Sequence, residues 1–545
     1  MSFNLATSVS ELRGSEYVNR RVIQVPATRE INNGNFFRSD QTFRWNIAGN
    51  SWWSPAQSYF RIRSTLTGPG GAPLRASDRI APAFCFMDCM YRSASFSMNG
   101  IRVSQITDYM PQIAALKNRH GKSRDYRQGV GNSLAFYDTD FYRRQARVIV
   151  DGKNDETEYK IYTATELNVN GSAVDLVAGA GRIGTMTVAN GALNRNGVLL
   201  PGDIVYFNIP VGAPSTITTQ LLRVTAVRQS ADLANGAVSI YAVEGLLDDV
   251  TPITAGAVNT TDVNFRVKRA FQQSERGAGA FETVWCPPLG ITELSTFLPA
   301  GQYEYNFQPQ QLETALKLCI ESDDGNDKTT PANFTLTMDS IEFYCVTVEQ
   351  ARVDSLDYLI DLKEMSCVPF TITNANWTSN MLIVPPSTTR LTVAYQDTKV
   401  SAGTQYPVSK FVSGANLQDL ITRFNVTYAN VVYPSNDLDL KATNALGAVP
   451  RTQRFTQAYN DMLLANGSAF SDTTSETLLE WLNNGFYLSY PTVKESKDTS
   501  TQVMIKQEFS GAVADTQLLL FANYGTITSV SIKSGQVVSV STVEA

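Results

Sequence analysis

The sequence holds one histidine, His120, in 545 residues. Ser-His-Asp and Cys-His catalysis elsewhere in the chain therefore has no base. Metal sites built on two histidines are excluded outright. Cysteine is scarce as well, with six in the chain. Only Cys85 and Cys89 lie close together, in a C-x3-C spacing with no second pair, so buried reduced thiols are expected and no metal. No apolar run approaches the length of a membrane-spanning helix. The opening MSFNLATSVSELRGSEY lacks the basic start and apolar stretch of a secretion signal, so none is expected. Charged residues make up only 18%, and the net charge is −6. A chain devoted to wrapping nucleic acid is usually basic, so any such contact is local and non-specific.

What the sequence has is apolar residues and turns. Hydrophobic residues reach 43%, enough for large cores in about two to four domains. Eight Asn-Gly dipeptides, Asn99-Gly100 among them, mark tight turns. Between turns, short runs alternate or are rich in β-branched and aromatic residues: QTFRWNI (41–47), SYFRIRSTL (58–66), NFTLTMDSIEFYCVTVE (333–349), RLTVAYQD (390–397) and TITSVSIKSGQVVSVS (526–541). Helical spacing is confined to 107–118, 451–465 and 474–483. Many strands with few helices predict an all-β protein of sandwiches or barrels.

The order of elements recurs. Residues 1–40 read as an extended arm, 41–349 as a first β-unit and 350–367 as a polar linker with a short helix. Residues 368–545 read as a second β-unit. TFLPAGQYEYNF (296–307) and LIVPPSTTRLTVAY (382–395) share a proline turn feeding an alternating strand. The stretch 150–265 breaks the symmetry and reads as an inserted small β-domain of barrel type. Without it the two units are of similar size, which suits a tandem of eight-stranded sandwiches.

NRHGKSR (118–124) superficially suggests a phosphate loop. The glycine that begins G-x-x-x-x-G-K-[ST] would fall at Leu116, and the tripeptide follows a helix instead of opening one. His120 is better placed as a charged helix-end residue and Gly121 as the helix stop. ESDDGND (321–327) fails the order of a calcium loop. Asp138 and Asp140 form a close acid pair with nothing to mark a cleft around them. Residues 117–147 form the most basic stretch, interleaved with aromatics. Arg119, Arg124, Arg127, Tyr137, Tyr142, Arg143, Arg144 and Arg147 are expected at a contact with a neighbouring subunit. Nucleic-acid contact is the weaker reading of the same stretch. Arg13, Arg20 and Arg21 are the candidate contacts of the arm. Catalytic, cofactor and metal residues are expected to be absent. Trp52-Trp53, Trp285 and Trp377 leave sugar stacking as a rival reading.

Five stretches carry a resemblance to a known family. They are FSMNGIRVSQ (96–105) with its following helix, FLPAGQYEYNF (297–307), MDSIEFYCVTVE (338–349), STTRLTVAYQD (387–397) after Pro385-Pro386, and AYNDMLLANG (458–467). With the order arm, sandwich, insertion, linker, sandwich, the chain resembles the double jelly-roll major capsid proteins of virophages, polinton-like viruses and adintoviruses. The likeness covers about 41–149 and 266–545 and leaves out the insertion. It implies two tandem eight-stranded jelly rolls, no enzymatic activity and a homotrimeric, pseudo-hexagonal capsomer in an icosahedral virion capsid. It also implies neighbouring capsomers, penton and minor capsid proteins as partners, with assembly inside the infected host cell. The insertion would form an outer tower able to touch a host surface. The rivals are another virion structural protein, such as a minor capsid or fibre protein, and a carbohydrate-binding β-sandwich.

Overall fold

The computed structural model describes residues 18–123 except 33, 68–79 and 83–84; the strands within 161–268; and 279–544 except 323–334, 350–354, 386, 399–410, 412–416, 445–446, 469–476, 479–480, 483–484, 493–500, 512, 514–515 and 534–535. All structural statements concern these residues.

Eight strands build the first half: β1 (Val18–Val25), β2 (Gln41–Ile47), β3 (Tyr59–Thr67), β4 (Tyr91–Met98), β5 (Ile101–Ile106), β6 (Gly279–Trp285), β7 (Gly301–Pro309) and β8 (Thr335–Glu349). They pair antiparallel in two sheets, ordered β1-β8-β3-β6 and β2-β7-β4-β5, with Ser51–Trp53 added against β8. The second half repeats this with β9 (Ser355–Thr371), β10 (Asn376–Thr378), β11 (Thr388–Asp397), β12 (Ile421–Tyr428), β13 (Val431–Asp439), β14 (Tyr487–Pro491), β15 (Gln502–Phe509) and β16 (Thr516–Lys533). Its sheets run β9-β16-β11-β14 and β10-β15-β12-β13. Every strand of the first half thus has a counterpart eight places later. A chain that alternates between two sheets in this order forms a jelly roll, so the fold is a double jelly roll. A last strand, β17 (Gln536–Glu544), pairs along β16.

The strands form where side chains alternate. In β3, Phe60, Ile62, Ser64 and Leu66 are buried while their neighbours face out. Facing sheets meet through aromatic rings. Phe60 lies 5.1 Å from Phe43 and 5.3 Å from Phe307 of the facing sheet, and 4.7 Å from Phe343, its cross-strand neighbour in the same sheet, centroid to centroid. Trp53 is fully buried, 5.1 Å from Trp45, and its indole N–H donates to Ser58 Oγ at 2.8 Å. Each such ring pair contributes about 0.5–1.5 kcal/mol beyond its area burial. Trp285 and Trp377 are also buried. These three tryptophans belong to the interior, which removes them as platforms for a sugar.

Two stretches differ from the sequence expectation. The expected arm 1–40 contains β1, which pairs with β8 through Val22↔Val346 and Ile23↔Cys345. Residues 1–17 lie outside the description. The expected linker 350–367 runs into β9, paired with β16 from Ser355↔Lys533 to Thr371↔Gln517. The reason is visible in SLDYLIDLK: Tyr358, Ile360 and Leu362 are buried, while Asp357, Leu359, Asp361 and Lys363 lie on the open face between and beside them. Charge on alternate positions marks an edge strand with one wet face, and it imitates a linker.

Between β5 and β6 the chain carries α1 (Met110–Gly121) and then eight short strands from Ile161–Thr163 to Phe265–Lys268. Those strands form an antiparallel sheet of their own. Alternate residues Val174, Leu176, Met186, Val188, Val205, Leu222, Val224, Tyr241 and Val243 give it a buried face. Between β13 and β14 the second roll carries α2 (Thr456–Ala465). Both helices therefore occupy the same place in their rolls.

Candidate functional site at the seam between the two rolls

A single buried apolar cluster runs through both rolls, from Val25 to Val537. Polar contacts cross the seam within it. Ser104 Oγ in β5 donates to Glu364 Oε1 in β9 at 2.5 Å. The Asn99-Gly100 turn, with φ of 48° and 80°, lets β4 reverse into β5 and aims Asn99 at the second roll. Asn99 Nδ2 donates to the Val537 carbonyl at 2.8 Å, and Val537 N–H donates to the Ala300 carbonyl at 3.1 Å. Gln112 Nε2 in α1 donates to Gln396 Oε1 in β11 at 3.4 Å. The His120 ring meets the Tyr487 ring edge-on at 4.8 Å. Helix α1 therefore acts as a wedge between the rolls, with Met110, Ile113, Ala114, Ala115 and Leu116 buried.

Two carboxyl groups are buried near this seam. Glu364 is 2% exposed, and burial pushes its carboxyl up to about 7; its Oε2 meets no partner. Asp88 is also raised to about 7 by burial, against the opposing hydrogen bond from the Trp285 indole at 2.9 Å. Neither acid was singled out in the sequence. Asp88 stands beside Cys89 in an apolar run, and Glu364 sits inside the presumed linker. A lone acid in an alternating apolar frame was the available signal for Glu364.

A cleft of about 720 Å³ opens at the seam. Its first-roll wall includes Asp88, Lys117, His120, Lys122 and Glu293, and its second-roll wall includes Lys363, Arg390, Asn466 and Asn523. Lys117 pairs with Glu293 at 3.3 Å. Arg390 donates only to neutral oxygens: Asn466 Oδ1 at 3.0 Å, the Ala465 carbonyl at 3.4 Å and Asn523 Oδ1 at 3.5 Å. Burial lowers the Arg390 pKa from its ordinary value.

NRHGKSR ends differently from its expectation. Burial first, then Arg390 and Arg119, hold the His120 pKa well below the usual imidazole value. The ring is neutral, so it does not act as an imidazolium cap. Both its nitrogens are buried and hydrogen-bonded to nothing. Gly121 is the last residue of α1, and it is absent from the left-handed glycines Gly49, Gly100, Gly447 and Gly467. The helix closes instead through Lys122 N–H to the Asn118 carbonyl at 3.1 Å, with Lys122 extended at φ −115°.

Of the expected interface residues, Arg119 is 4% exposed and held inside the chain. Arg124, Arg127, Tyr137, Tyr142, Arg143, Arg144 and Arg147 lie outside the described residues, as do Asp138, Asp140 and Arg13. Arg20 and Arg21 are exposed on β1, and Arg21 pairs with Glu349 at 3.0 Å. No group of three or more metal-ligating side chains occurs among the described residues. No described helix is long and apolar enough to cross a membrane.

No protein-family model and no curated protein matches the sequence. Among solved structures, the chain is similar to one from the Sputnik virophage determined by cryo-EM, at 11% identity and a TM-score of 0.46, covering 98% of this chain and 90% of that one. It is also similar to the mavirus major capsid protein, at 12% identity and 0.41, covering 96% and 90%. A chain of the PBCV-1 virus capsid aligns at 9% identity and 0.36, covering 97% of each.

Proposed function

We propose that this chain is the major capsid protein of an icosahedral DNA virus. Three copies form a pseudo-hexagonal capsomer, capsomers tile the virion shell, and no reaction is catalysed. The observation that carries this reading is the duplicated strand order, strand n to strand n+8, within one chain whose halves share a core. Two equivalent rolls per chain and three chains supply six similar blocks around a closed threefold axis. Closed cyclic symmetry of this kind stops at a defined particle, and lattice contacts between particles then add through avidity. A shell tile must keep its two blocks in fixed relation, and the seam's buried apolar and polar contacts favour that rigidity. The mavirus protein's role as a major capsid protein is the role proposed here. Neighbouring capsomers, penton proteins and minor capsid proteins are the partners of this reading. The sheet within 161–268 would stand outward, where it could meet a host surface.

Negative-stain imaging of the purified full chain tests the reading. Particles with a hexagonal outline and threefold symmetry support it. A monodisperse small particle without threefold averaging, or specific binding of the chain to a glycan, contradicts it.

A further inference from the structure

We propose that the cleft between the rolls is a binding site for a phosphate-type oxyanion that bridges the first roll to the second. This goes beyond the capsid reading and does not depend on it. Four cationic side chains line the cleft, Lys117, Lys122, Lys363 and Arg390, against two carboxyls, Asp88 and Glu293. Glu293 is engaged by Lys117 at 3.3 Å. Asp88 faces the apolar interior and takes the Trp285 N–H at 2.9 Å, so it does not answer the charge of Arg390.

Arg390 is the centre of the site. Its Nε and Nη1 are held by Asn523, Asn466 and the Ala465 carbonyl, all neutral, and its Nη2 has no hydrogen-bond partner among the described residues. A guanidinium withdrawn from water without a counter-ion is costly, and the two N–H groups of Nη2 remain to donate to an oxyanion oxygen. Asn523 and Asn466 hold the Nε and Nη1 sides of the guanidinium, and Asn466 Nδ2 also donates to Tyr487 OH at 3.4 Å. His120 packs on the same tyrosine, 4.8 Å between rings, and closes the first-roll side as a neutral wall with its nitrogens covered. Arg390 and Lys363, neither in an ion pair among the described residues, favour a doubly charged oxyanion over a single carboxylate. Lys122 belongs to the GKS tripeptide, so that stretch would meet phosphate after all, through a seam between two sandwiches and not through a strand-loop-helix cradle.

Equilibrium dialysis of the full chain against labelled orthophosphate, and separately against deoxyadenosine monophosphate, tests the proposal at fixed ionic strength. One saturable site per chain is expected. Equal affinity for the two probes indicates a free anion, and tighter binding of the ester indicates that the rest of the cleft holds the attached group; either result supports the site. Asn523→Asp places a carboxylate where Arg390 already donates, and it should fold and lose phosphate binding by about tenfold or more. Lys363→Gln, which changes an exposed side chain at the rim, should weaken binding severalfold. Absence of saturable binding by the wild type overturns the proposal, as does phosphate affinity in Asn523→Asp equal to that of the wild type.

Discussion

Gly290 of the first roll touches Glu364 of the second so closely that a Cβ on the glycine would stand 2.7 Å from the carboxyl oxygen Oε1. The same Cβ would stand 2.7 Å from the Lys363 carbonyl. One of these neighbours is backbone, so the strain cannot be relieved by a side-chain rotation. Gly290→Ala is therefore expected to part the rolls locally and to lower stability by about 1–3 kcal/mol, the usual cost of overpacking. Urea unfolding of the variant and the wild type at one pH measures it. A midpoint equal to the wild type's would mean that the seam yields freely.

The same Glu364 sets a pH dependence. Its folded carboxyl is raised from 4.5 to about 7 by burial, so the folded state holds the proton more tightly than the unfolded state. The stability that this group contributes is complete below 4.5 and is lost as pH rises through about 7. The loss for the group approaches roughly 3 kcal/mol. Asp88, also raised to about 7 by burial, adds a loss of the same sign. Glu364→Gln keeps an acceptor for Ser104 and removes the titration. The variant should lose less stability than the wild type between pH 5.5 and 8.5, read as urea midpoints. Parallel losses in both proteins would contradict a protonated, buried Glu364.

Phe60 is fully buried, with Phe343, Phe43 and Phe307 around it. Phe60→Ala leaves a cavity between the sheets of the first roll and should cost about 3–5 kcal/mol. Calorimetry of the full chain checks this. Because the apolar cluster spans both rolls, the two halves are expected to unfold together, with no separate early transition for the first roll.

Arg21 and Glu349 form an ion pair at 3.0 Å, with side chains 65% and 30% exposed. Pairs of this kind contribute about 0–1 kcal/mol. Arg21→Ala should therefore leave the thermal midpoint within about a degree or two of the wild type. A change in assembly without a change in that midpoint would place β1 at a subunit contact.

The strands were legible where one face is wet and alternation is clean, as in QTFRWNI and RLTVAYQD. Repeated order in the two halves was also legible, because a proline turn and an alternating strand recur in both. What sequence alone did not resolve was which strands begin each roll. VNRRVIQV spreads arginines among apolar residues, and SLDYLIDL does the same with aspartates, so edge strands passed for an arm and a linker. Charge on the exposed face of an edge strand protects against unwanted pairing, and it hides the strand from a reading by composition. The seam was less legible still. Ser104, Glu364, Gly290 and Arg390 are far apart in sequence and form no motif. Only the fold brings them together, as it does the neutral His120 that sequence spacing suggested as a charged cap.

The mass of the full chain in solution is the most direct test of the assembly claim. Light scattering on the purified protein should give three times the 59.9 kDa chain mass, independent of concentration over the micromolar range. A mass of one chain, unchanged as concentration rises, would contradict the capsomer.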